Sequence, residues 1–300
     1  MQSSAYHGLL VVDKPGGLTS REVVDRALRW FPRRTRVGHT GTLDPLATGV
    51  LVLCVGVATR LTEYVQDMDK TYRAGLLLGA RSDTDDADGT ITPAAVDRPP
   101  DRAAVEQALS AFIGEIEQVP PAFSAAKVTG RRAYDLARQG EEVALRPRKV
   151  RIYGIDVLAY DYPQLELEVR CGKGTYIRSL ARDLGERLGC GALIESLRRT
   201  RVGPFRVEDA VPLDANAATA RARLLPLTAA VSNLPQVVLE EKAIVRLRQG
   251  GTWRFHDPPR REFALPPGEV AVLNDRGELA LIACADANSG TLRPTKVLSS

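Results

Sequence analysis

The sequence predicts an α+β protein: a mixed, largely antiparallel sheet with surrounding helices, followed by a small β-rich C-terminal unit. Three observations predict it. Strand-like and helix-like segments are interleaved along the chain. Several strand candidates are joined by loops too short for the crossover helix that a parallel pair needs. The run "VLVLCVG" is apolar without a break, whereas "QLELEVRC" alternates with period two, so one strand is buried on both faces and another on one.

Taken in order, "GLLVVDKP" reads as a short buried strand ended by Pro15. "TSREVVDRALRWF" carries a capping-box pattern, Thr19 to Glu22, with Val24, Ala27, Leu28 and Phe31 at helical spacing, and predicts a helix from about residue 20 to 31. A loop with His39 and Asp44 precedes the strand "VLVLCVG"; "ATRLTEYVQD" reads as a short helix and "KTYRAGLLLGA" as a strand. Residues 81–101 are acidic, polar and Pro-rich, hence a loop, and "DRAAVEQALSAFIG" is an amphipathic helix. "SAAKVTGRRAYDLARQG" reads as strand, turn and helix, and is followed by strands at "VRIYGIDVLAY" and "QLELEVRC". "GKGTYIRSLARDLGERLG" is a Gly-rich turn into a helix with Ile177, Leu180, Leu184 and Leu188 on one side. The Ala-rich stretch near 214–232 reads as a connection, and "EVAVLNDRGELALIACA" as a hairpin about its Asn-Asp-Arg-Gly turn. The expected division is a large domain over 1–232 and a small β-rich domain over 236–300.

The composition, 44% hydrophobic and 26% charged over 300 residues, is that of an ordinary soluble globular protein with room for a large core. There is no 18-residue apolar run and no signal-peptide pattern at "MQSSAYHGLL", which suggests a cytoplasmic chain with no membrane association. The four cysteines and three histidines are scattered, which disfavours a disulfide framework or a His/Cys metal site. Charge is segregated: residues 170–206 hold nine Lys/Arg against three acids, 127–151 hold eight against three, and 81–101 hold six acids against two bases. Such segregation suits a surface that meets a polyanion.

Several motifs fail on inspection. "SDTDDADG" puts Ala95 where a calcium loop needs a bidentate Glu, and Ala87 where an aspartyl-phosphate enzyme needs Thr. "CGKGTY" lacks P-loop spacing, and His39 has no G-x-S-x-G partner. Asp44 is harder to set aside. Gly38, Gly41 and Gly49 surround it, and a buried strand stands behind its loop, the kind of bracing on which reactive groups are placed.

"GHTGTLDPLATGVL" resembles the signature of the TruB family of tRNA pseudouridine synthases. "LLVVDKPGGLTS", "KTYRAGLLLGARSDTDDADG", "PPAFSAAKVTGRRAYDLARQG" and "CGKGTYIRSLARDLGERLGCGALIESLRRTRVGPF" resemble successive family blocks in the same order and cover most of residues 8–206. Residues 236–300 resemble, more diffusely, the small PUA-like RNA-binding domain that often ends these enzymes. The resemblance implies isomerisation of the T-loop uridine at position 55 of tRNA, with no cofactor and no metal, by a stand-alone monomer that binds the T-arm. Asp44 is then the catalytic aspartate, attacking base or sugar or stabilising charge at C1′. Arg178 is its ion-pair partner and lowers its pKa. Tyr72 and Tyr176 stack on the flipped base, and the Tyr72 phenol can help remove the C5 proton. His39 holds the distorted RNA loop open, Lys14 and Leu197 line the pocket, and Asp86 contacts the uracil or a pocket group. The basic helix 131–138, Arg146 to Arg151 and Arg198 to Arg206 then hold phosphates. Two rivals remain: an RNA-binding or RNA-folding protein in which catalysis is secondary, and a Mg²⁺-dependent phosphotransferase built on residues 83–88.

Overall fold

The computed structural model describes residues 6–124, 127–128, 131–132, 145–254 and 267–298. Strand β1 (Gly8–Lys14) is followed by helix α1 (Ser20–Ala27), β2 (Val37–His39) and β3 (Thr48–Val55). The capping box forms as expected: Thr19 accepts from the Glu22 N–H, and the Glu22 carboxylate accepts from the Thr19 N–H. The helix is shorter than its periodicity suggests, passing into a 3₁₀ turn at Leu28–Trp30. Phe31 precedes Pro32, is extended (φ −118, ψ 158) and stops the helix there.

A 3₁₀ segment and α2 (Thr62–Asp67) lead into β4 (Lys70–Leu78). The acidic segment is not loop throughout, because β5 (Ala80–Ser82) and β6 (Ile91–Pro93) pair as a ribbon within it. Then come α3 (Arg102–Ser110) and β7 (Gly114–Gln118), a strand the sequence reading did not anticipate. Strands β8 (Lys127–Val128) and β9 (Arg131–Arg132) pair antiparallel. The basic helix expected from residue 131 does not begin there, because Arg131 and Arg132 are paired in β9; the rest of that stretch lies outside the described residues. The order continues through β10 (Arg148–Asp161), β11 (Gln164–Cys171), α4 (Ile177–Arg187), β12 (Ala192–Val202), β13 (Phe205–Arg206), β14 (Val211–Pro212) and α5 (Ala217–Ala222).

Ten of these strands make one sheet, in the order β14-β1-β3-β12-β4-β11-β10-β7, with β2 added on β3 and β13 on β12. Only the β1–β14 and β3–β12 pairs are parallel, so the sheet is mixed and largely antiparallel. Central strand β12 was not foreseen. It carries Glu195, Arg198, Arg199 and Arg201, and its pairing with β4 is broken by register shifts at Ile194/Ser196 and Arg199/Arg201, which erase any period-two signal.

The two halves of the sheet are buried differently. On β1 and β3, Leu9, Val11, Val50 and Val52 face one core while Leu10, Val12, Leu51 and Leu53 face another, which holds α1. On β4 and β11, Tyr72, Ala74, Leu165, Leu167 and Val169 pack with α4, while Arg73, Glu166 and Arg170 on the other face are exposed. Where the halves meet, β12 passes so close to β3 that a Cβ on Gly49 would lie 2.2 Å from the Arg199 carbonyl oxygen, and Gly49 also has φ +97. Gly38 and Gly41 are under no comparable constraint, since a Cβ there would meet nothing nearer than 3.6 Å.

A five-stranded sheet closes the chain: β15 (Gln236–Val238), β16 (Trp253–Arg254), β17 (Gly268–Leu273), β18 (Leu279–Asp286) and β19 (Thr291–Val297), in the order β15-β17-β18-β19-β16. The expected hairpin is β17–β18, its turn held by Asn274 Oδ1, which accepts from the Arg276 and Glu278 N–H groups. Helix α6 (Glu241–Arg248), not anticipated, covers one face through Ala243, Ile244 and Leu247. The other face is not free. Ala271, Leu273, Leu279 and Ile282 join the core that holds Leu9, Val11, Val50 and Val52 of the large sheet.

Candidate active site

The loop between β2 and β3 carries Asp44, and three other segments fix it. Ser20, at the start of α1, accepts from the Leu43 N–H at 2.8 Å and donates to the Leu43 carbonyl at 3.0 Å. Lys14, fully buried at the end of β1, donates to the carbonyls of Pro15, Pro45 and Ala47 at 3.0, 3.2 and 2.6 Å. Arg199 of β12 donates to Gly41 at 3.1 Å and Val50 at 2.7 Å. A buried amine and a buried guanidinium thus satisfy carbonyls that a distorted loop would otherwise strand.

Arg178, on the first turn of α4, faces this loop and is 4% exposed. Its Nε lies 2.9 Å from Asp44 Oδ2 and its Nη1 3.3 Å from Asp86 Oδ2. The same side chain donates to the Thr84 carbonyl at 3.0 Å and the Phe123 carbonyl at 2.9 Å. Two carboxylates and two carbonyls therefore surround one planar cation, a set that suits arginine and not lysine. Asp86 is held in turn by Thr84 Oγ1 and the Asp88 N–H. Asp85, in a left-handed conformation (φ 61), ties the loop to α4 through Arg182 at 3.0 Å.

A cavity of about 600 Å³ opens in front of Asp44 and Arg178, of a size that suits a nucleoside. Tyr72, Tyr176, Leu197 and Arg199 line it, and Arg148, Lys149 and Lys173 stand among its walls. Of the residues singled out from the sequence, the fold brings Asp44, Arg178, Tyr72, Tyr176 and Leu197 to this one cavity, and Asp86 to its guanidinium. Lys14 does not line the cavity; it lies beneath the loop with its hydrogen bonds spent on backbone, and so acts on position and charge. His39 is also absent from the cavity wall. It ends β2, where it pairs with Leu53, and is half-buried.

The electrostatics depart from expectation in one respect. Arg178 does pull the Asp44 pKa down, but burial outweighs it and Asp86 adds repulsion, so the Asp44 carboxyl sits above the usual aspartate range. Burial lowers Lys14 to about 8 against the pull of Asp44. It also pushes the Tyr72 phenol up, Arg199 opposing.

The arginines expected to grip phosphates divide between the two faces. Arg199 faces the cavity, whereas Arg198, Arg201 and Arg206 line a separate depression on the opposite face with Arg73 and Arg170. Arg198 is there paired with Asp13 at 2.8 Å. Strand alternation separates Arg199, level with Tyr72, from Arg198, level with Arg73, and the register shift between Arg199 and Arg201 carries Arg201 to the face of Arg198.

Residues 29–177 match the family profile described as "TruB family pseudouridylate synthase (N terminal domain)", and residues 178–232 match the "tRNA pseudouridylate synthase B C-terminal domain". The chain belongs to the TruB family. Curated relatives described as tRNA pseudouridine synthase B include one from Xanthomonas euvesicatoria pv. vesicatoria, 43% identical, with 98% of this chain and 94% of the relative aligned. Another, from Burkholderia mallei, is 41% identical with 99% of both chains aligned. Among solved structures, a chain of a Cbf5-Nop10-Gar1 complex superposes with a TM-score of 0.73 at 28% identity, covering 97% of this chain and 85% of that one. A chain of an H/ACA RNP bound to a substrate RNA containing 2′-deoxyuridine gives 0.73 at 25%, covering 98% and 85%. The TruB chain is therefore an isomerase that converts uridine to pseudouridine in tRNA, on the pseudouridine synthase fold.

Sequence reasoning missed three members of this TruB site: Ser20, Arg199 and the strand end at Gln118–Phe123. Ser20 read only as the start of a helix and Arg199 only as one of a basic run. Nothing in a linear pattern marks a residue whose partners are carbonyls 149 and 158 positions away.

Proposed function

We propose that this enzyme isomerises the T-loop uridine of tRNA, position 55, with Asp44 as the carboxylate that acts on the flipped-out nucleotide. The observation that carries the reading is the pairing of Asp44 with Arg178 at the floor of a nucleoside-sized cavity walled by Tyr72 and Tyr176. The N1–C1′ bond breaks, the uracil turns, and a C5–C1′ bond forms; the C5 proton leaves and N1 regains one, with no net oxidation. Asp44, ion-paired with Arg178 and 32% exposed, can reach the sugar or the base while Arg178 holds its orientation. Extruding the uridine costs a few kcal/mol, and stacking on an aromatic wall returns about 1–3 kcal/mol. Tyr72, kept protonated by burial, suits packing against the base better than withdrawing the C5 proton.

The same reading gives Arg148, Lys149 and Lys173 at the cavity rim to phosphates of the T-arm. It assigns the five-stranded C-terminal sheet, residues 236–300, as an RNA-binding unit beside a catalytic unit spanning 1–232. The working form is a monomer, and its compartment is the cytoplasm, where its substrate resides. The test is incubation of purified protein with unmodified T-arm RNA, followed by chemical mapping of pseudouridine. Conversion at the T-loop uridine is expected, with affinity falling steeply as salt rises; conversion only elsewhere in tRNA would defeat the positional claim.

A further inference from the structure

Tyr176 occupies an awkward position. It is the N-cap residue of α4, where Ser, Thr, Asp or Asn normally supplies an oxygen to the exposed N–H groups, and its side chain makes no capping bond. Its ring lines the cavity, so a phenol stands where a cap would be. The peptide bearing that ring, two residues before Arg178, must be held by something else.

Gln118 supplies the hold. It ends β7, is 1% exposed, and its amide contacts both polar groups of the Tyr176 backbone. Oε1 accepts from the Tyr176 N–H at 2.8 Å and Nε2 donates to the Tyr176 carbonyl at 3.0 Å. That carbonyl also accepts the first intrahelical bond, from the Leu180 N–H at 3.1 Å. Directly across the ladder from Gln118 is Arg148, whose guanidinium carbon lies 4.3 Å from the centre of the Tyr176 ring and whose Nη2 donates to the Gly174 carbonyl at 2.6 Å. One rung of the sheet edge therefore fixes Tyr176 twice, by its peptide through Gln118 and by its ring through Arg148.

We infer that Gln118 is a positioning residue for the isomerisation, setting the height and tilt of the Tyr176 peptide and, through the first turn of α4, of Arg178 against Asp44. Gln118 touches neither substrate nor carboxylate. Its effect is geometric, and an ångström at this turn is carried to both the stacking ring and the ion pair. Only a primary amide both accepts and donates in this arrangement. Leucine has similar bulk and does neither; glutamate accepts but sets its second oxygen against a carbonyl. The inference rests on the reading of Tyr176 and Arg178 as site residues.

The experiment compares the full-length wild type with Gln118→Leu, Gln118→Glu and Ser179→Ala, scoring total pseudouridine formed in an unmodified tRNA transcript under single-turnover conditions. Scoring the whole transcript keeps the comparison independent of which uridine is modified. Ser179→Ala removes a buried 2.8 Å bond between the same turn of α4 and the Val119 carbonyl, next to Gln118, without touching the Tyr176 peptide, and so separates general loosening of this turn from loss of the Gln118 bonds. Both Gln118 variants are expected to lose about tenfold or more in rate at saturating tRNA, with tRNA dissociation constants within about threefold of wild type. Ser179→Ala should lower the melting temperature while keeping its rate within about twofold. Gln118 variants with wild-type rates, or an equal rate loss in Ser179→Ala, would overturn the inference. Should Gln118→Leu not fold, Gln118→Glu, which keeps the bulk and one of the two bonds, decides alone.

Discussion

The loops at 40–47 and 83–88 each bring an aspartate to Arg178, Asp44 at 2.9 Å and Asp86 at 3.3 Å. They differ in what holds them. The first is gripped from outside, by Ser20, Lys14 and Arg199, all acting on its backbone and leaving its carboxylate 32% exposed. The second is held by its backbone too, through Ile194 of β12 and the Arg178 bond to the Thr84 carbonyl, but its aspartates are also committed, with Asp86 bonded to Thr84 and the Asp88 N–H, Asp85 tied to Arg182, and only 6% of the Asp86 side chain exposed. Where the surroundings spend their bonds on backbone, a side chain is left available for chemistry. Where a side chain spends its own bonds, it is a strut. On the proposed function, Asp44 is the reactive group and Asp86 the counter-charge that keeps Arg178 in place.

Substitution tests that difference. Asp44→Asn should cost on the order of 10³-fold or more in single-turnover rate with tRNA affinity largely kept, whereas Asp86→Asn should cost nearer tenfold; equal losses would erase the distinction. Because Arg178 retains Asp86, Asp44→Asn should fold normally. Its melting temperature at pH 7 should equal or exceed that of wild type, since an aspartate with a raised folded-state pKa costs stability increasingly as pH rises past its unfolded value. Arg178→Lys should lose on the order of 10²-fold, as one ammonium cannot serve two carboxylates and two carbonyls.

Lys14→Met removes a bond from three carbonyls under the Asp44 loop, of which Pro45 keeps the Gly17 N–H, at about 1–3 kcal/mol for each left unsatisfied. Thermal melts should show the loss, and turnover should fall with it. In the pH profile of single-turnover rate, the acid limb should lie above the ordinary aspartate range, because burial raises Asp44 and Arg178 only partly restores it. A limb at or below the ordinary value would mean that the guanidinium dominates. The smallest effect is expected on the far face, where Arg73→Glu with Arg201→Glu should leave the rate within about twofold. A large loss of tRNA affinity there would show that RNA also uses the face opposite the cavity.

Much of this was legible in the sequence, for reasons that particular residues make plain. Burial on both faces left "VLVLCVG" without a polar position, and burial on one face left Leu165, Leu167 and Val169 in alternation, so β3 and β11 announced themselves. The Thr19–Glu22 box is local chemistry and marked the start of α1. Strand β12 was hidden because its arginines serve opposite faces and its register shifts twice. The candidate site was recognisable through Asp44 and Arg178, yet its support was not. Lys14 looked like a pocket residue until its three carbonyl partners placed it underneath, and Gln118 had no signal because its partner backbone lies 58 positions on.

The core shared between the two sheets has a consequence for anyone shortening this protein. A version stopped near residue 232 would take Ala271, Leu273, Leu279, Ile282 and Leu298 out of the cluster they share with Leu61, Val65, Ala230 and Val231, and would expose apolar side chains on that side. It would also strip away Lys296, which reaches across to Glu63 and rests over the Tyr64 ring. Such a fragment should clump in solution before its catalytic competence could be judged, because the terminal sheet is a wall of the same house rather than an annex.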